Sequence, residues 1–113
     1  MEERFETIYL TETTATPSYI AYPMFLIDVK ISETDKLVYS LLLNKAQREF
    51  FYDSGNRRIF VYFTITELSK TVRKSEMTIK NSLRKLEQVG LIVRRHQGVG
   101  KPNRIYVKVP KNA

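Results

Sequence analysis

The 113-residue chain has no cysteine, no tryptophan and a single histidine, His96. Without thiols there is no disulfide, no thiolate nucleophile and no cysteine ligand for zinc, which suits a reducing compartment. One histidine cannot build the histidine pair of a metal centre, so neither a zinc hydrolase nor a metal-dependent tyrosine nickase is expected, despite seven tyrosines. No apolar run approaches the roughly 18 residues of a membrane-spanning helix, and no signal peptide or lipidation motif is recognisable. The expectation is a cytoplasmic protein with no membrane partner. The stretch GVGK at 98–101 is no phosphate-binding loop, because that motif needs glycine at Arg95 and serine or threonine at Pro102. No metal, no cofactor and no catalytic residue is expected, and the chain reads as a non-enzyme.

What the chain does have is positive charge, unevenly placed. The net charge is +7, yet residues 1–35 hold two basic and seven acidic residues, a balance of −5, and residues 36–113 carry +12. Such asymmetry is what a polyanion-binding face on an otherwise neutral domain produces. An apolar content of 42% supports one modest core.

Residues 1–30 read as an extended arm without a helix: FETIYL alternates briefly, and TETTATPSYIAYP is rich in β-branched residues and turn formers. The segment YIAYPMFLI is too apolar to stay in water, so it packs on the domain or against a second copy. Ser32 to Phe50 is a helix, with Ser32 and Asp35 as capping box and Leu37, Leu41 and the 38/42/45 row at helical spacing. Asp53-Ser54-Gly55-Asn56 is a turn and IFVYFT a short strand.

Thr64 and Glu67 form a second capping box, starting a helix at Ile65 that ends near Lys70, with TVRK as a tight connection. Ser75 caps the next helix, in which Ile79, Leu83 and Leu86 mark the inner face and Gly90 closes the end. The opposite face carries Met77, Lys80, Asn81, Arg84 and Gln88, with Lys85 at its edge. These are side chains that read base edges: Asn81 bridges adenine, Arg84 or Lys80 meets guanine or phosphate, and Met77 or Thr78 touches a thymine methyl. Glu76 accepts from a cytosine amino group or simply favours the helix N-terminus. After Gly90, LIVRR and RIYVKV alternate as two strands around HQGVGKPN, with Leu91, Val93, Ile105, Val107 and Val109 expected inward.

Helix, tight turn, helix and basic hairpin, in that order, predict an α+β fold: a winged helix-turn-helix with a C-terminal β-hairpin wing and an extended N-terminal arm. The domain division is 1–30 arm and 31–113 winged-helix domain. The candidate DNA-binding residues are Lys74, Ser75, Glu76, Met77, Thr78, Lys80, Asn81, Arg84 and Lys85 on and before the recognition helix, and Arg94, Arg95, Lys101 and Arg104 on the wing. The plain alternatives are a solvated helix face and hairpin charges that only keep a sheet edge soluble.

Across residues 18–110 the chain resembles the N-terminal domain of the RepA family of bacterial plasmid replication initiators. The resemblance rests on YIAYPMFLI, SETDKLVYSLLLNKAQ, FFYDSGNRRIFVYFT, the helix pair and VGLIVRRHQGVGKPNRIYVKV, whose QG and PNRIYV are its most specific part. It implies sequence-specific binding to repeated duplex sites at a plasmid origin, as a homodimer, in the bacterial cytoplasm, and the apolar YIAYPMFLI segment makes the N-terminal arm the expected dimer contact. It also implies a C-terminal domain that recruits host replication proteins. No such domain fits within 113 residues, so the chain reads as the DNA-binding part. A transcriptional repressor, or a protein-interaction winged helix without DNA binding, is the alternative for the same fold.

Overall fold

A computed structural model describes residues 3–112; Met1 and Glu2 of the expected arm, and Ala113, lie outside the described residues. Ser32 begins α1 (Glu33–Glu49) with the expected capping box: its hydroxyl accepts from the Asp35 amide, and the Asp35 carboxylate accepts from the Ser32 amide. The helix ends at Phe50, in the left-handed conformation at φ 56°. The buried row is Val38, Tyr39, Leu42 and Ala46, so the expected 38/42 row faces the core, with Leu41 packed at its edge and Leu37 39% exposed.

The short strands β1 (Phe51–Tyr52) and β2 (Ile59–Val61) flank the expected turn. Its left-handed residue is Arg57, at φ 60°, while the Asp53 amide donates to the Arg58 carbonyl and the Arg57 amide to the Asp53 carbonyl. Helices α2 (Ile65–Val72) and α3 (Glu76–Gln88) come next, then strands β3 (Ile92–Arg95) and β4 (Arg104–Val107). The four strands form one antiparallel sheet in the order β1-β2-β4-β3. Three helices and this sheet make an α+β fold. The core joins Leu26, Val38, Tyr39, Leu42, Leu68, Ile79, Leu83 and Leu86 to Val61, Ile92 and Ile105 of the sheet. The helices therefore cover one face of the sheet, and Phe51, Phe60 and Tyr106 lie on the other.

Three expectations are corrected. Residues 1–30 do contain a helix, a 3₁₀ turn at Met24–Asp28. Pro23 presets its entry at φ −62°, Leu26 enters the core fully buried, and the Phe25 ring packs edge-on to Tyr39 at 5.6 Å. YIAYPMFLI is thus split: Phe25 and Leu26 pack on the domain, while Tyr19, Tyr22, Met24 and Ile27 stay exposed. The first helix of the pair runs to Val72 instead of ending near Lys70, because Val72 still packs on the core, so only Arg73 and Lys74 make the turn. The hairpin alternation is out of phase by one on β3. Leu91 is inward as expected, 7% exposed, but its amide donates to the Leu86 carbonyl and that of Gly90 to the Glu87 carbonyl, a cap that closes the helix before the strand begins. The strand then starts with Ile92 inward and Val93 40% exposed. Ile105 and Val107 do face inward, but β4 ends at Val107 and leaves Val109 62% exposed.

Candidate nucleic-acid interface

Two N-caps and one left-handed residue hold α2 against α3. Thr64 and Glu67 satisfy each other's backbone amides at 3.2 and 3.0 Å, and the hydrogen bonds from Thr64 hold the Glu67 carboxyl below its ordinary range. At the far end Arg73 turns left-handed at φ 61°, and both it and Lys74 donate their amides to the Ser69 carbonyl. The Ser69 hydroxyl donates back to the Lys74 carbonyl at 2.6 Å, which closes the turn on both sides. Ser75 then caps α3 by accepting from the Thr78 amide at 3.1 Å. A further strut spans the pair: the Thr66 hydroxyl donates to the Glu76 carboxylate at 3.1 Å. Ser69 and Thr66 were not singled out in the sequence, because a serine or threonine inside a helix shows its partner only once the turn is folded.

The inner side of α3 buries Ile79, Leu83 and Leu86 and also Ser82; Lys74, Ser75, Glu76, Met77, Lys80, Asn81, Arg84 and Lys85 are exposed. Thr78 is half-buried, its hydroxyl 3.0 Å from that of Ser75. Lys80, Asn81 and Arg84 form one exposed cluster one helical turn long, in which the Arg84 guanidinium donates to the Asn81 carbonyl oxygen at 3.2 Å. That bond, to the Asn81 side-chain oxygen, orients the fork. Hydrogen-bond donors and an adjacent methionine, displayed on a rigid helix, are what a major groove accepts.

The hairpin treats its cations differently. Arg94 faces the helices and forms a two-point ion pair with Glu87 of α3, with Nε and Nη2 at 2.8 and 2.7 Å from Oε1; its own amide donates to the other carboxylate oxygen. Arg104 lies on the outer side of the sheet, ion-paired with Asp53 and stacked 4.3 Å over Phe60. The Tyr106 hydroxyl donates to the other Asp53 oxygen at 2.5 Å. Arg95 is exposed, 6.0 Å from the Tyr106 ring, and Lys101 stands exposed at the hairpin tip between Gly100 and Pro102. The tip is shaped by Gly98 and Gly100 at φ 129° and 77°, by the Lys101 amide donating to the Gly98 carbonyl, and by Gln97 donating to the Pro102 carbonyl. His96 sits 2.9 Å from the Asn103 side chain across the hairpin. Hydrogen bonds from Gln97 and then Arg104 hold the Tyr62 phenol below its ordinary range, marking where the hairpin meets β2. Asp53 and Glu87, read in the sequence as a turn residue and a helix residue, fix the hairpin in place.

No group of three histidine, cysteine, aspartate or glutamate side chains that could hold a metal is found among the described residues. No helix of the described residues is long and apolar enough to cross a membrane.

Residues 18–112 match the family described as replication initiator protein A (RepA) N-terminus. The chain belongs to that family. Among solved structures, the RepA-family chain is similar to one titled "N-Terminal domain of DNA binding protein" and to one titled "Structure of Rep-DNA complex". Each is 19% identical, covers 82% of this chain and 76% of its own, and has a TM-score of 0.67. A third, "Structure of MDR initiator", is also 19% identical, with coverage of 82% and 78% and a TM-score of 0.66. At that identity the likeness establishes the shared fold. No curated protein sequence matches the chain.

Proposed function

We propose that this RepA N-terminal domain is a winged helix-turn-helix that binds duplex DNA sequence-specifically at the repeated sites of a plasmid origin, and so starts plasmid replication in the bacterial cytoplasm. The observation that carries the reading is the exposed Lys80-Asn81-Arg84 cluster on α3, held by a turn closed from both sides. Family membership supports the initiator role, and the shared fold with a Rep–DNA complex supports the DNA. In this reading Thr78, Lys80, Asn81 and Arg84, helped by Met77, read the major groove. Lys74, Lys85 and Lys101 hold phosphates, and the amides at the start of α3 by Ser75 add backbone contacts. Glu76 is held by Thr66 and sets the angle of α3. Arg94 and Arg104 act through the hairpin they brace.

The domain acts as a homodimer through its arm. Phe5, Ile8, Tyr9 and Leu10 are each more than three-quarters exposed, a display of apolar side chains that association would cover. The arm is anchored at Ala21, whose amide and carbonyl both pair with the Asn44 side chain at 3.0 and 2.8 Å.

The test is fluorescence anisotropy on a duplex selected from random sequence by the protein itself, against a scrambled duplex, across a salt series. Much tighter binding to the selected duplex, with a steep salt slope from phosphate contacts, is expected. Equal, weak binding to both would overturn sequence-specific recognition.

A further inference from the structure

The sheet face turned away from the helices has chemistry of its own. Phe51, Phe60, Tyr62 and Tyr106 form one aromatic cluster, with ring centroids 5.3 to 6.4 Å apart; Phe60 and Tyr106 are buried at its base, and Phe51 and the half-buried Tyr62 reach solvent. Phe51 is 46% exposed at its edge. Flat cationic groups already rest on this surface: Arg104 4.3 Å over Phe60 and Arg95 6.0 Å from the centre of the Tyr106 ring. Next to the rings lies an open groove of about 360 Å³, with Tyr106 and Val93 on its floor and Asn56, Arg58, Arg95 and Lys108 on its walls.

The charges of this groove select its ligand. Its carboxylate, Asp53, is neutralised by Arg104 and accepts from the Tyr106 hydroxyl, so it does not oppose the three cations. An anion with a flat, stackable group satisfies both the rings and the cations. In duplex DNA the faces of the bases are hidden by stacking, so a base lying on this surface has to be unpaired.

We propose that the outer sheet face binds an unpaired stretch of DNA, its bases stacking on Phe51 and Tyr62 and its phosphates meeting Arg58, Arg95 and Lys108. The site is separate from α3, which lies on the other side of the sheet, and it stands whether or not α3 reads duplex DNA. A domain with both surfaces holds a duplex site and a melted strand at once.

The test is anisotropy of the whole chain with fluorescein-labelled oligothymidylate of about 12 nucleotides, within the site sizes of single-strand binders. Unlabelled oligothymidylate is expected to compete, and an abasic strand of equal length and polyglutamate to compete at least about tenfold less well, because they offer charge without bases. Arg58→Ser and Phe51→Ala are each expected to weaken oligothymidylate binding about tenfold, with affinity for the selected duplex unchanged. Arg58 is exposed, so its variant reads the site without touching the packing that Phe51 shares. Equal competition by the abasic strand or by polyglutamate would overturn the proposal. So would oligothymidylate binding that survives both variants and disappears in Arg84→Ala.

Discussion

On α3 the exposed cations Lys80, Arg84 and Lys85 enter no ion pair among the described residues, while on the hairpin Arg94 lies on Glu87 and Arg104 on Asp53. Both regions draw on the same +12 balance, yet only some of that charge faces outward for a partner. The difference comes from neighbours. Lys80 and Arg84 on the outer side of α3 are exposed, and only its Asn81–Lys85 edge borders the start of α1, so these cations meet water. The hairpin lies between the C-terminal turn of α3 and the β1–β2 turn, each of which offers one carboxylate. Charge-assisted bonds at such junctions fix geometry, and what they fix here is the direction in which the Lys101 tip projects.

The comparison is broken most severely by removing what joins the two regions. Leu83, 2% exposed, lies between α3 and the hairpin, and Leu83→Ala is expected to lower unfolding stability by about 2–5 kcal/mol in chemical denaturation. On α3 itself, Arg84→Ala is expected to cost roughly 1–3 kcal/mol on the selected duplex and less on scrambled DNA, with no change in stability. Equal losses on both DNAs would reject Arg84 as a base reader.

Arg104→Met is expected to show the reverse pattern. Stability should fall modestly, as Asp53 loses its partner. DNA affinity then falls through a displaced tip. Lys101→Ala should leave stability untouched, weaken binding alike on both DNAs and flatten the salt slope by about one phosphate contact.

The smallest effect is a pH effect at the foot of the hairpin. Tyr39 is buried, its hydroxyl donates to the Lys108 carbonyl at 2.6 Å, and burial pushes its pKa up to about 12 from 10.0. A raised folded-state pKa means stability that is complete below pH 10 and lost as pH rises toward 12. Thermal melts should therefore show a steeper alkaline decline for the native chain than for Tyr39→Phe.

Much of this arrangement was legible in the sequence wherever the signal is local. Three N-caps, Ser32, Thr64 and Ser75, and the left-handed Gly90 were readable because a cap is a relation between residues three or four apart. The exposed face of α3 was readable from periodicity alone. The β3 phase was not, because Leu91 and Ile92 are both buried and the alternation restarts at Ile92 once the Leu91 amide has closed the helix. Nor was the 3₁₀ turn at Met24–Asp28, which exists because Leu26 has a cavity among α1 residues to fill. The pairings Arg94–Glu87 and Arg104–Asp53 span 7 and 51 positions, and no pattern within one element announces them.

The most direct check of the central claim, that α3 and the hairpin tip are what duplex DNA touches, is an NMR titration of the isotope-labelled chain with the selected duplex. Backbone amides of 75–85 and 96–103 should shift most, while those of 33–49 on α1 stay nearly still. Unmoved α3 amides, with shifts concentrated elsewhere on the chain, would contradict it.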